Sequence, residues 1–259
     1  MGRVCAAPPS PQPACCPGAP IDVIELLVRP SSVPYLRSRR RVLRGPTMRI
    51  IGGEAAGRIV HVPEGLGVRP MPDKVKLAVF NSLGGFVDGA RVLDLFSGTG
   101  ALGHECLSRG AVLLHSVEKS DKHARFYRRN LVAAGLSATA VELRVDDVFS
   151  AVPQLAAAGR LFDLVIADPP YGEKNVGRRS TSLAQRLLDQ PDLPRLLAPG
   201  ALFILGHTKR DTLDIPPAWK ERKMLKHGDT VIRFFKPAGA EDPVEIVEPE
   251  PSEGEPAEP

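Results

Sequence analysis

Two short segments hold residue types that could do chemistry. In "LVIADPPYGEKN" (164–175) an apolar run stops at Asp168, and Pro169, Pro170 and Tyr171 follow. Prolines fix φ and lack an N–H, so this exit is stiff and leaves carbonyls free to accept. An amine with two N–H donors could give one to the Asp168 carboxylate and one to the Pro169 carbonyl, aligning its lone pair for attack. Tyr171 offers a flat face on which a base could stack, once that base is unstacked or flipped. The bland alternative is a proline-stiffened strand end with a partly buried tyrosine.

The second segment is "LDLFSGTGALG" (93–103). Gly98, Gly100 and Gly103 fit G-x-G-x-x-G, and Glu118 lies 20 residues beyond Gly98, the pattern of a dinucleotide site. A nicotinamide or flavin cofactor is therefore one reading. Asp94 favours another. A buried carboxylate there would repel a pyrophosphate, whereas S-adenosylmethionine carries a sulfonium and an ammonium. On that reading Asp94, Phe96, Ser97, Gly98, Thr99 and Gly100 form the cofactor cradle. Glu118, with Lys119 beside it, meets the ribose hydroxyls, and Asp146 or Asp147 accepts from the adenine amino group. Asp146 and Asp147 also suit a helix N-cap.

These segments need a frame. Strand-like runs at 91–96, 113–118, 141–146, 163–168 and 201–206 alternate with helical stretches near 100–109, 121–134, 148–157 and 181–190. That alternation predicts a parallel sheet covered on both faces. "RKMLKHGDTVIRFFK" adds an antiparallel hairpin turning at His227-Gly228-Asp229. Upstream, "RIIGGEAAGRIVHV" (49–62) reads as two short strands, and "DKVKLAVFNSL" (73–83) as a helix capped by Asp73. The expected fold is α/β and Rossmann-like: a mainly parallel seven-stranded sheet with an antiparallel C-terminal edge and a short N-terminal β-hairpin extension. If the five parallel strands run third, second, first, fourth, fifth across the sheet, Asp168 faces the glycine loop at the switch point.

Charge is unevenly placed. Residues 1–47 hold seven Arg against two acids, and residues 237–259 hold eight acids with no Lys or Arg, so the middle of this +4 chain carries a net +7. A basic body suits a phosphate-rich partner. Both flanks are Pro-rich and aperiodic, and are expected to be disordered. The first resembles a transit peptide in its Arg content but has too many prolines for an amphipathic helix; an upstream start codon, with Met48 the native first residue, is a further reading. No apolar run suits a membrane span. The four cysteines form no C-x-x-C pair, Cys106 reads as a core residue, and no metal is expected. The expectation is a cytoplasmic protein.

Several motifs together carry a resemblance: "MRIIGG" (48–53), "GVRPMPDKVKLAVFNSL" (67–83), "VLDLFSGTGALGHECLSRGA" (92–111), "VEK" (117–119) and "IADPPYGEKN" (166–175). Over residues 48–236 the chain resembles the S-adenosylmethionine-dependent amino-methyltransferases with a D/N-P-P-Y/F motif, and more narrowly the RsmD-like small-subunit rRNA guanine-N2 methyltransferases. It departs from their pattern at Met71-Pro72 and Lys76-Leu77. The resemblance implies a monomer acting on 16S rRNA or a small-subunit assembly particle. Arg49, Arg58, Arg69, Lys74, Lys76, Lys174, Arg178 and Arg179 are the candidates to track its phosphates. A DNA adenine-N6 or cytosine-N4 methyltransferase shares the Asp-Pro-Pro-Tyr logic but generally adds a recognition domain. Asn at position 168 would better suit a protein glutamine methyltransferase. A non-catalytic RNA-binding assembly factor would need neither Asp168 nor a complete cofactor loop.

Overall fold

The computed structural model describes residues 47–62, 71–171, 175 and 178–239. Strands β1 (Thr47–Arg49) and β2 (Ile59–His61) form an antiparallel pair, and α1 (Asp73–Leu83) follows. Next come β3 (Arg91–Leu95), α2 (Ala101–Ser108), β4 (Leu113–Glu118), α3 (Asp121–Ala134) and β5 (Val141–Val145). The chain continues through α4 (Val148–Ala157), β6 (Phe162–Ala167), α5 (Leu183–Leu188), β7 (Leu197–Thr208), β8 (Trp219–His227) and β9 (Thr230–Pro237). The large sheet has the order β5-β4-β3-β6-β7-β9-β8. β5 to β7 are parallel, and β9 and β8 close the edge antiparallel. The expected order and class therefore hold.

The central strands β3, β4, β6 and β7 are buried on both faces because helices cover both, whereas β8 at the edge alternates with exposed residues. Val92, Leu114, Leu164 and Ile204 face a core shared with α1, α2, α3 and the N-terminal pair. Leu93, Leu95, Val165 and Phe203 face the second core, under α4 and α5. Cys106 is buried in the first of these. Local signals set several ends. Ser120 caps α3 by accepting from the His123 N–H, and Gly135 ends it with φ 71°. The cap expected from Asp73 is not there: Pro72 holds the N-cap position and Asp73 is the first helical residue. Strand β7 also differs from expectation: it runs well past 201–206 at both ends, where pairing with β6 and β9 extends it.

The N-terminal pair is fastened to α2 by one acid. Glu105, fully buried, accepts from the backbone N–H groups of Ile51 and Gly52, both at 2.9 Å, and from Arg109 Nε at 2.9 Å. Ser108 Oγ accepts from Ala55 N at 2.9 Å and donates to the Gly52 carbonyl at 2.6 Å. Gly53 has φ +77°, and a Cβ there would sit 1.6 Å from the Ser108 carbonyl oxygen, so only glycine fits.

Candidate active site

β3 and β6 are hydrogen-bonded neighbours, with Leu95 opposite Ala167, so the two chemistry-bearing segments leave the sheet side by side. Between them opens a cavity of about 620 Å³. Its wall includes Asp94, Phe96, Ser97, Gly98, Thr99, Glu118, Lys119 and Asp147 on one side and Asp168, Pro169, Pro170 and Tyr171 on the other.

The glycine loop does not present its amides to a phosphate. Gly98 N donates to Glu118 Oε2 at 2.8 Å, Gly100 N to the Ser97 carbonyl at 2.8 Å, and Gly103 N to Asp94 Oδ2 at 3.0 Å. A pyrophosphate site needs such donors free, so the loop is built for a different ligand. Phe96 takes φ 60°, a conformation unusual for a bulky residue, at the point where the chain leaves β3 for the cavity. Gly100 does not line the cavity. It starts α2 with φ 91°, and a Cβ there would lie 2.3 Å from the His104 ring.

The acids divide by environment. Burial pushes the Asp94 carboxyl up to about 8, the Gly103 N–H partly opposes this, and Asp168 and Glu118 add to the rise. At neutral pH this group is mostly protonated, so the standing charge expected to repel a pyrophosphate is weak until a cation enters. Burial pushes Asp168 up to about 6, which leaves it mostly ionised at neutral pH. Its Oδ1 is buried with no hydrogen-bond partner. Glu118 is engaged on both oxygens, Oε1 accepting from Ser120 N at 2.8 Å and meeting His123 Nδ1 at 3.1 Å. Lys119 pairs with Asp147 at 2.9 Å, and this bond holds the Asp147 carboxyl below its ordinary range.

Asp146 and Asp147 separate. Asp147 lines the cavity and caps α4, accepting from Phe149 N at 2.9 Å. Asp146 turns away: its Oδ2 binds Arg144 at 2.5 Å and its Oδ1 accepts the Asp147 N–H at 2.7 Å. Asp146 is therefore no part of the cavity wall. Tyr171 is 43% exposed, and its hydroxyl meets the Thr230 hydroxyl at 3.0 Å.

Of the basic candidates, Arg49, Arg58, Lys74, Arg178 and Arg179 are exposed, Arg179 pairing with Asp189 at 2.6 Å and Arg49 approaching Asp73 at 3.8 Å. Lys76 is a correction. It is 1% exposed, its ammonium donating to the Arg49 carbonyl and lying 3.4 Å from Asp73, so it ties α1 to the end of β1 and cannot meet a phosphate. Arg69 and Lys174 lie outside the described residues.

Sequence reasoning passed over Phe149, Arg186, His123 and Gly206. The Arg186 guanidinium lies 4.0 Å from the Phe149 ring centroid, and Phe149 meets Phe96 edge-on at 6.1 Å, which makes an aromatic wall. Arg186 gives no sequence signal, because α5 reaches this wall only through the crossover. Gly206 did give one: a glycine inside the apolar run "LFILG" marks a close approach. A Cβ there would lie 2.5 Å from Asp168 Oδ1.

A family model described as "Conserved hypothetical protein 95" matches residues 48–236. The chain belongs to this family, the RsmD-like one. A family relative from Bacillus subtilis (strain 168), named "Putative rRNA methyltransferase YlbH", is 37% identical over 195 residues, 74% of this chain and 100% of that one. The "Ribosomal RNA small subunit methyltransferase D" of Escherichia coli (strain K12) is 36% identical, covering 73% of this chain and 89% of its own. Among solved structures, the "Putative methyltransferase yhhF from Escherichia coli" superposes with a TM-score of 0.62 at 26% identity, covering 74% of this chain and 99% of that one. The RsmD-like family thus accounts for the whole seven-stranded body. Among the described residues no group of three or more His, Cys, Asp or Glu is gathered as a metal would require, and no helix is long and apolar enough to cross a membrane.

Proposed function

We propose that this protein is an S-adenosylmethionine-dependent methyltransferase that modifies the exocyclic N2 amine of a guanine in small-subunit (16S) rRNA, free or within an assembly particle, acting as a cytoplasmic monomer. One observation carries the reading: a single cavity joins an acid-lined, phosphate-averse glycine loop to the buried Asp168 carboxyl, whose Oδ1 has no partner, on a proline-stiffened exit. The residues fit the cofactor. Asp94 offers a carboxyl to its positive groups, Glu118 keeps a lone pair on Oε2 for a ribose hydroxyl, and the Phe96–Phe149 wall suits adenine. When bound, the cofactor supplies a methyl group on a sulfonium.

The chain's own residues do the rest. Asp168 accepts one N–H of the target amine and the Pro169 carbonyl the other, so the nitrogen lone pair is oriented without a strong base. Pro170 keeps that exit rigid, and Tyr171 stacks the flipped base, worth ~1–3 kcal/mol. Thr230 holds the ring by its hydroxyl.

The test is tritium transfer from S-adenosylmethionine to small ribosomal subunits from a strain lacking the gene, with the labelled base identified by mass spectrometry. Label at a guanine N2 supports the reading; label only in DNA or protein defeats it. Asp168→Ala should bind cofactor with unchanged affinity and lose transfer by a factor of about 100 or more. Normal turnover by that variant would remove Asp168 from its assigned role.

A further inference from the structure

A row of exposed cations lies on α3, apart from the basic residues named above. Within "DKHARFYRRNLVAA", Lys122, Arg125, Arg128 and Arg129 are all exposed, and none makes an ion pair with an acid among the described residues. Elsewhere on the surface Arg91, Arg144, Arg160, Arg179, Arg195 and Lys209 are matched with acids. At 100° per residue these four α3 cations occupy an arc of about 120° on the helix. Ala124, Tyr127, Asn130, Leu131 and Ala134 take the opposite side and are buried. Asp121, four residues before Arg125, is the one acid in this helix, and it forms no ion pair with it among the described residues.

Position ties this helix to the cavity. His123, in its first turn and on the side facing the body, lines the cavity and contacts Glu118. Farther along, Asn130 exchanges hydrogen bonds with the backbone of His61 at 3.0 Å, docking α3 on β2. Exposed Arg58 stands immediately before that strand.

We infer that the outer face of α3, through Lys122, Arg125, Arg128 and Arg129, binds the phosphate backbone of the RNA flanking the target nucleotide. The inference rests on the RNA reading above and adds a surface to it. From Lys122 to Arg129 the helix rises about 10 Å, enough for the four cations to reach more than one backbone phosphate. Contacts of this kind set register and steer association without reading sequence. An acidic lipid surface would suit the same cations but would not need a helix whose first turn borders the cavity.

The test uses the full chain with three charges removed, Arg125→Ala, Arg128→Ala and Arg129→Ala together, beside the charge-keeping Lys triple. RNA binding is read by fluorescence anisotropy on labelled small-subunit rRNA across a salt series, separately from methyl transfer. The alanine triple should bind about tenfold or more weakly at low salt, and its log K against log salt slope should shrink by about 2 to 3. Its cofactor affinity and its kcat at saturating RNA should match wild type, and the lysine triple should keep most of the slope. Unchanged RNA affinity and slope in the alanine triple would overturn the inference. So would a lysine triple as weak as the alanine one, or wild-type binding to phosphatidylserine vesicles in preference to RNA. A wild type that binds RNA through this face yet methylates none would sink the functional reading and leave the surface standing.

Discussion

Asp168 sits with Oδ1 against the Cα of Gly206, in a space that a methyl group would close. Gly206→Ala should push the carboxylate off its line. Steady-state kinetics should show kcat lower by about 10- to 100-fold, since small displacements of a positioning group have effects of that size. Cofactor affinity by calorimetry should stay within about twofold. Asp94 makes a prediction of a different kind. Its pKa is raised on folding, to about 8, so protonation contributes stability fully below the ordinary carboxylate range and loses it as pH rises through about 8. Between pH 5 and pH 8.5 the cofactor-free protein should therefore lose thermal stability relative to Asp94→Asn. A cation in the cavity favours the ionised form, so cofactor binding at pH 7 should release close to one proton. Binding enthalpies measured in buffers of different ionisation enthalpy would show it, and Asp94→Asn should abolish the effect.

At the scale of elements, the glycine loop is positioned from behind. α2 begins where the loop ends, and Glu105 and Ser108 clamp the N-terminal strands to that helix. Glu105→Ala would leave two partly buried backbone N–H groups and the Arg109 guanidinium without their shared acceptor. It should destabilise the protein by about 3 kcal/mol in urea unfolding, the scale for a broken buried charged network. On the far side of the cavity, β9 fixes Tyr171 through Thr230, and Asn175 bonds both ways with the Thr212 backbone at 2.9 and 3.0 Å. The antiparallel edge is thus part of the site's scaffolding. Its hairpin was legible from His227-Gly228-Asp229, but its contact with Tyr171 was not, because 59 residues separate the partners.

At the scale of the whole molecule, the cavity exists because β3 and β6 are neighbours at the switch in strand order. A ligand that fills it and does not bind the unfolded chain must stabilise the fold. S-adenosylhomocysteine at 100 times its Kd should add about 2.7 kcal/mol and raise the melting midpoint by roughly 5–10 °C in scanning fluorimetry. NADH should leave the midpoint unchanged, since the loop amides that would bind its pyrophosphate are already bonded within the protein. The sequence by itself determined the alternation of strands and helices, the Asp-Pro-Pro-Tyr exit and the glycine loop, because these are local: periodicity, fixed φ and missing side chains act within a few residues. Tertiary structure decided which acid of Asp146-Asp147 reaches the cavity, that Lys76 is a buried tie, and that burial raises the Asp94 carboxyl. Those outcomes depend on partners and burial supplied by distant segments, such as the Arg49 carbonyl beside Lys76, and no local pattern encodes a desolvation.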